Sequence, residues 1–218
     1  MAYDKIWNNI HENMIWGKYP SEEVVRHFLG KYKHIPFKDR KKIKIIELGC
    51  GQSNNLWFLS REGFDTYGIE GSLEACKKGR DRLESENLDV NIYHGDFNDL
   101  SGFKKNYFDD VLDNVSLQHN RKSEIKNILL QAKNILKEDG KIFSVMVSDK
   151  TDGYKTGDFV EPGVYQNIQE LWFKNRGLTC FSSFEDIIDY FQPFKDIVVD
   201  KKINIENGKT LEHYIIHN

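Results

Sequence analysis

The feature that most constrains this chain is the alternation, between residues 43 and 147, of short apolar runs with stretches whose apolar residues recur at helical spacing. The runs IKIIEL (43–48), FDTYGIE (64–70), DVNIYHGD (89–96), FDDVLDNV (108–115) and KIFSVMV (141–147) read as five strands. Between them, Asn54 to Arg61 carries Leu56, Phe58 and Leu59. Ser72 can cap a helix to about Glu86 with Leu73, Cys76 and Leu83 on its apolar side, and Lys122 to Leu136 is apolar at 125, 128, 129, 132, 135 and 136. Strand–helix alternation of this kind requires a parallel sheet covered by helices on both faces. A further helix precedes it in SEEVVRHFLGKYK (21–33), and another follows at Phe184 to Phe191, stopped by Pro193. The last two segments, DIVVDKKINIE and KTLEHYIIHN, flank Asn207-Gly208, the strongest short hairpin signal. The prediction is an α/β, doubly wound seven-stranded sheet, mostly parallel, ending in an antiparallel β-hairpin.

Nothing divides the 218 residues, since repeats, low-complexity tracts and linker-like compositions are absent. The expectation is one domain over 1–218: an N-terminal helical lid (1–35), a ligand-binding core (42–147), a substrate-side insertion (148–183), and the last helix and hairpin (184–218). The insertion is rich in Gly, Thr, Asp and aromatics, and reads as a structureless lid or binding loop. Charged residues make up 30% and the net charge is −3, so no overall positive field gathers nucleic acid or an anionic membrane. The basic cluster Lys38-Asp39-Arg40-Lys41-Lys42-Ile43-Lys44 is short and solvates the approach to the first strand. No run is long enough to span a membrane and MAYDKIWNNI lacks a signal peptide's apolar centre, so a cytoplasmic protein is expected. Cys50, Cys76 and Cys180 have no metal-type spacing and read as free thiols, with no metal.

In an open parallel sheet, ligands sit beyond the carboxyl ends of the strands, where strand order reverses. After the first strand comes IIELGCGQSNN (45–55), in which Gly49 and Gly51 permit a tight turn and close backbone approach. The third glycine of the dinucleotide loop G-x-G-x-x-G is missing, and Asn54 stands in its place. The second strand ends at Glu70, whose carboxylate can accept from both hydroxyls of a ribose. The third ends in Gly95-Asp96-Phe97, suited to an exocyclic amine and a purine face, and the fourth around Asp113-Asn114.

In this order and spacing the chain resembles the class I S-adenosylmethionine-dependent methyltransferases of the small-molecule type, with their Rossmann-like fold. The resemblance covers about Lys42 to Val147 and rests on Glu47-Leu48-Gly49-Cys50-Gly51, Gly68-Ile69-Glu70-Gly71-Ser72, His94-Gly95-Asp96-Phe97, FDDVLDNVSLQHN (108–120) and the turn Leu136 to Lys141. It implies S-adenosyl-L-methionine as cofactor and S-adenosyl-L-homocysteine as product. Glu47 would brace the loop and help hold the methionyl amino group, Gly49 and Gly51 the methionyl part, Glu70 the ribose, Asp96 and Phe97 the adenine. Asn114 would lie near the sulfonium. Cys50, Asn54, Asn55, Gly71, Ser72, Gly95, Asp113 and Val115 complete the implied cofactor set. The sequence departs from the family pattern at Ser53, where many members carry another glycine, and at Asp139. A nicotinamide dinucleotide shares the GxG loop and the ribose acid, but its pyrophosphate favours the full glycine pattern. The amino-acid end of S-adenosylmethionine explains a loop that lacks it.

Methyl transfer needs alignment, exclusion of water and, where the acceptor must lose a proton, a base. His119 follows the fourth strand and is either that base or a ring packed at the start of the helix near Lys122. In the N-terminal segment, Trp7, His11, Trp16 and Tyr19 sit where this superfamily places a lid. Tyr19 is a candidate cofactor contact, and the tryptophans are lid or core. Trp16, Tyr154, Tyr165 and Trp172, with Glu161 and Asn167, offer flat faces and hydrogen bonds suited to a polar ring such as a sugar. The expected activity is methyl transfer to an O or N of a small polar acceptor, by a monomer or homodimer, with neither nucleic acid nor membrane as partner. An RNA methyltransferase and a non-catalytic cofactor-binding scaffold are the alternatives.

Overall fold

The computed structural model describes residues 4–218, so residues 1–3 of the expected lid lie outside the described residues. In the strand Lys44–Leu48 (β1 below), Ile45 and Ile46 point to opposite faces, as the two-residue period of a strand requires, and each is buried in a different core. A strand apolar on both sides must be covered twice, and the helices divide accordingly.

In chain order the elements are α1 (Ile6–Asn13), α2 (Glu22–Tyr32), β1 (Lys44–Leu48), α3 (Asn54–Arg61), β2 (Asp65–Glu70), α4 (Leu73–Glu84), β3 (Val90–His94) and β4 (Phe108–Asn114). There follow α5 (Lys122–Ile135), β5 (Leu136–Val147), β6 (Asp158–Glu161), β7 (Val164–Gln166), β8 (Thr179–Cys180), α6 (Phe184–Tyr190), β9 (Val198–Glu206) and β10 (Lys209–His217). Seven strands form the main sheet in the order β3-β2-β1-β4-β5-β10-β9. β1 through β5 pair in parallel and β10 pairs antiparallel with both β5 and β9, giving the Rossmann-like doubly wound sheet with its terminal hairpin. Val24 and Phe28 of α2, Leu56 and Leu59 of α3, and Cys76 and Leu83 of α4 cover one face. Ile125, Ile128, Leu129 and Ala132 of α5 with Ile187 and Tyr190 of α6 cover the other. Each fully buried aliphatic side chain contributes about 2 kcal/mol.

Two features differ from the sequence prediction. β5 begins at Leu136 instead of 141, because Leu136 already pairs with Phe108 while Asp110 pairs with Lys141; the residues between bulge out of the ladder. The run 148–183 is not structureless. It contains an antiparallel sheet in the order β6-β7-β8, with its own core of Val147, Tyr165, Ile168, Phe173, Phe181 and Leu211. Strands of two to four residues are too short to show a periodicity in the sequence. Among the described residues no helix is long and apolar enough to cross a membrane.

Candidate active site at the switch point of the sheet

Chain order reverses on either side of β1 and β4, and the principal cavity opens beyond their carboxyl ends. Its floor is the turn after β1. Gly49 and Gly51 have φ of +65° and +51°, and so does the non-glycine Ser53, at +63°. A Cβ on Gly49 would lie 2.5 Å from the Ser116 hydroxyl, so the glycine is needed for packing of the β1 and β4 turns as well as for conformation. Ser53 occupies the position where the family often has glycine. Its side chain fits only because Gly79 of α4 faces it, since a Cβ there would be 2.4 Å from Ser53 Oγ. Val115, a β-branched residue at φ +62°, lines the cavity at the end of β4, with its N–H donated to the Val145 carbonyl (3.0 Å). Such strain is held where surrounding structure over-determines it.

Three carboxylates line this floor: Glu47, Glu70 and Asp96. Glu70 accepts from the backbone N–H of Gly51 (2.8 Å) and of Ser72 (2.7 Å), tying the first loop to the second. Burial pushes its carboxyl up, opposed by those backbone donors. Asp96 accepts from the backbone and side-chain nitrogens of Asn98 at 2.9 and 3.0 Å. Glu47 is the unusual one. Its Oε1 accepts from Asn55 Nδ2 (2.6 Å), while its Oε2 is buried with no partner, and Asn55 Oδ1 is left bare as well. Burial holds the Glu47 carboxyl well above the usual carboxylate range, with Asp113 and Glu70 raising it further. Two bare acceptors side by side in a cavity wall call for a donor, and an ammonium group suits both.

The roof comes from distant chain. Lys78 of α4 donates to the carbonyls of His11 and Glu12 (3.2 Å), satisfying the carboxyl end of α1, and Arg82 donates to those of Trp16 (2.9 Å) and Gly17 (3.3 Å) in the segment that follows. Gln52, in the glycine turn itself, accepts from Trp16 N–H (3.0 Å) and donates to the Met14 carbonyl (2.8 Å). Trp16 thereby lies over Gly51, where a Cβ would come within 3.1 Å of its ring. Trp7 stands edge-on to His119 at 4.7 Å, and His11 packs on Trp16 at 4.6 Å. The remaining wall is Trp172, Phe173, Arg176, Leu178 and His213.

His119 lines the cavity half-buried, with Nδ1 2.9 Å from the Leu178 carbonyl. A carbonyl only accepts, so Nδ1 carries the hydrogen and Nε2 is the ring's acceptor. Burial lowers its pKa to about 4, with Arg176 contributing. His11 is likewise lowered to about 4, by burial and then by Lys78 and Arg176.

Of the residues singled out in the sequence, Trp7, His11, Trp16, Glu47, Gly49, Cys50, Gly51, Asn54, Asn55, Glu70, Asp96, Phe97, Asn114, Val115, His119 and Trp172 line this one cavity. The others do not. Asp113 is buried beneath it, accepting from Ser144 Oγ (2.6 Å) and the N–H groups of Ser116 and Leu117, with its carboxyl raised to about 6 by burial. Ser72 caps α4 through Ala75 N–H, and Gly71 and Gly95 are bonded into the strand ends through their backbone. Tyr19 is 76% exposed, because the turn at Pro20 lays its ring edge-on to Trp57 on the outer side of α3. Tyr154 and Tyr165 pack on each other and on the core of the small sheet. Glu161 accepts from the first N–H of α5, and Asn167 donates to Asp158. Of the residues expected to shape a sugar-type pocket, Trp16 and Trp172 line the cavity, while Tyr154 and Tyr165 pack with the small sheet and Glu161 and Asn167 are engaged in local hydrogen bonds. Sequence reading passed over Arg176, Gln118, Phe173, Leu178 and His213, which nothing local marks as site residues, and over Gln52, whose two bonds reach 36 and 38 residues back.

The methyltransferase-domain family model matches residues 45–140. Three curated proteins of Schizosaccharomyces pombe, each called an uncharacterized methyltransferase, are 35% identical over 69 residues, or 32% of this chain and 47% of theirs. The match thus spans about half the length of those relatives. The CcbJ methyltransferase of Streptomyces caelestis superposes with a TM-score of 0.69 at 13% identity, covering 99% of both chains. The magnesium protoporphyrin IX methyltransferase of Synechocystis, solved with bound SAM, gives 0.65 at 11% identity, covering 100% of this chain and 98% of that one. With this sheet order, these motifs at the strand ends and a match to the methyltransferase-domain family over residues 45–140, the chain has the fold of the class I S-adenosylmethionine-dependent methyltransferases and carries their domain signature in its core.

Proposed function

We propose that the protein binds S-adenosylmethionine and transfers its methyl group to a small acceptor. The observation that carries this reading is the pair of bare acceptors, Glu47 Oε2 and Asn55 Oδ1, beside the Gly49–Gly51 backbone. A nicotinamide dinucleotide presents a pyrophosphate to this loop, and an anion gains nothing from a buried carboxylate. An amino acid presents an ammonium, which the two oxygens accept. Glu70 and Asp96 then stand along the same wall for hydroxyls and an amine, and Phe97 gives the adenine an apolar face.

The bound cofactor supplies an activated methyl on a sulfonium, displaced in line by the acceptor. The protein's own part is orientation and dryness. Trp16, held over Gly51 by Gln52 and Arg82, closes the floor from solvent, and Trp7 and His119 form the lid's inner face. The acceptor site lies under Trp7, Trp172, Phe173 and Leu178. His119 Nε2 is the ring nitrogen available for an acceptor proton. With a pKa near 4 it is a weak base, suited to a proton that becomes acidic only as the methyl arrives.

Titration with S-adenosylhomocysteine, followed by tryptophan fluorescence, tests the cofactor assignment; saturable binding and no binding of NADH are expected. Release of S-adenosylhomocysteine in the presence of cell-extract metabolites tests turnover. NADH binding without binding of either sulfur nucleoside would overturn the reading.

A further inference from the structure

Among the described residues Arg176 is the one arginine on the cavity wall, and no element of the site described so far uses it. It follows the 3₁₀ turn Leu171–Phe173, with its N–H donated to the Phe173 carbonyl (3.1 Å), and is flanked by Asn175 at φ +60° and Gly177 at φ +73°. The loop is closely fitted: a Cβ on Gly177 would lie 2.5 Å from Asp4 Oδ2. The Arg176 side chain is half-buried, and burial lowers its pKa. Its charge bears on His11 and His119, which stand on the roof of the same cavity.

Most other arginines and lysines this enclosed are paired: Arg40 with Glu62, Lys31 with Asp110, Lys122 with Asp186. Arg176 has no ion pair and no side-chain hydrogen bond among the described residues. Five acids line the same cavity, and none is ion-paired with Arg176 among the described residues; Glu47, Glu70 and Asp96 are bonded as described above. Asp4 has Oδ1 taken by the Ile6 N–H (3.0 Å), and Glu124 accepts from the Arg121 N–H (2.8 Å) in the capping box of α5. Neither reaches the guanidinium within ion-pair distance. A partly desolvated guanidinium with five unmet donors is a fork for two oxygens of one anion. The same cavity is lined by Trp7, Trp172, Phe173 and Leu178, which give it apolar surface for the body of an acceptor.

We infer that the methyl acceptor is a small, largely apolar molecule bearing an oxyanion, a carboxylate or a phosphate, which Arg176 binds. This rests on the methyl-transfer reading for its occupant. It assigns the anion to the one arginine lining the cavity, whereas Glu47 and Glu70 are the carboxylates that suit the cofactor's cationic and hydroxyl groups.

The test uses the whole chain loaded with S-adenosylhomocysteine, titrated calorimetrically with 4-hydroxybenzoate, phenyl phosphate and the uncharged 4-hydroxybenzamide. At least one of the two anions should bind about tenfold tighter than the amide, the scale of one charge-assisted hydrogen-bonded pair. Arg176→Gln should erase that preference, Arg176→Lys should restore part of it, and S-adenosylhomocysteine affinity should stay within about twofold of wild type on the same scale. Melting curves establish that both variants are folded. No anion preference in the wild type, or a preference that survives Arg176→Gln, overturns the inference. Loss of S-adenosylhomocysteine affinity in Arg176→Gln also overturns it, because the arginine would then hold the methionyl carboxylate. Failure of the wild type to bind S-adenosylhomocysteine sinks the methyl-transfer reading instead, and the same anion titration on the ligand-free chain still decides what Arg176 binds.

Discussion

On the cofactor side of the cavity, the bonds that shape the wall join residues 2, 8 and 19 positions apart: Glu70 to Ser72, Glu47 to Asn55, and Glu70 to Gly51. On the roof they join residues 36 to 67 apart: Gln52 to Trp16 and Met14, His119 to Leu178, Arg82 to Trp16, Lys78 to His11. The first wall is a consequence of local backbone geometry at the ends of neighbouring strands. The second exists only once the sheet has formed and brought three remote segments together. A wall of the first kind is specified by a few residues with definite spacing, so it can recur in chains with little else in common. A wall of the second kind is free to vary, and with it the acceptor.

The sharpest way to break this contrast is at Glu47. If the cofactor wall is a preset receptor for an ammonium group, Glu47→Gln should lower S-adenosylhomocysteine affinity by about a hundredfold, the upper range for a hydrogen bond to a charged group. The same substitution should raise the melting temperature of the ligand-free protein, because it removes a buried carboxylate with one bare oxygen. Affinity and stability moving in opposite directions is the expected signature of a site residue. If both fell together, Glu47 would be structural.

The legibility of the chain follows the same division. Gly49, Gly51, Glu70 and Asp96 could be picked out because each sits where an apolar run ends, and the run itself announces the strand. The hairpin at Asn207-Gly208 was visible for the same reason, since turn chemistry is local: both residues have positive φ. Tyr154 and Tyr165 were misplaced because an aromatic-rich segment without periodicity looks alike whether it lines a pocket or packs a small sheet. Tyr19 was misplaced because its direction depends on Trp57, which lies 38 residues further along the chain. Arg176 was invisible, because an unpaired arginine is recognised only when the acids around it are known to point elsewhere.

A smaller effect tests whether the cofactor wall tolerates its departure from the family pattern only through a partner. Ser53 holds a left-handed conformation that costs a non-glycine residue about 1 kcal/mol, and its buried hydroxyl has no partner. Gly79 makes the space. In the wild type, Gly79→Ala should destabilise by about 1 kcal/mol net: overpacking against Ser53 outweighs the helix-propensity gain of replacing glycine. Rotating Ser53 Oγ aside does not remove the conflict, because its Cβ would still be 3.2 Å away. In a Ser53→Gly background the sign should reverse, with Gly79→Ala stabilising by about 1 kcal/mol from propensity alone. Thermal melts of the four proteins form a double-mutant cycle, and additive effects would show that the two sites are independent.

The smallest expected effect belongs to the roof, at His119. Its pKa in the folded protein is about 4 against 6.5 for an unperturbed ring, so the folded state refuses a proton that the unfolded chain accepts. Stability from this group is therefore fully present above pH 6.5 and is lost progressively as pH falls towards 4. His119→Gln keeps a polar side chain and removes the titration. The difference in melting temperature between wild type and His119→Gln should move in favour of the variant as pH is lowered through that window, while His11 and His213 titrate alike in both and cancel. At neutral pH the imidazole is already neutral, so a wild-type turnover profile should show no inflection from this residue above about pH 6. If Nε2 takes the acceptor's proton, His119→Gln lowers kcat across that flat region with S-adenosylhomocysteine affinity unchanged. If it only packs on Trp7 and donates to Leu178, the variant changes the acid limb of the stability curve and leaves kcat as it was.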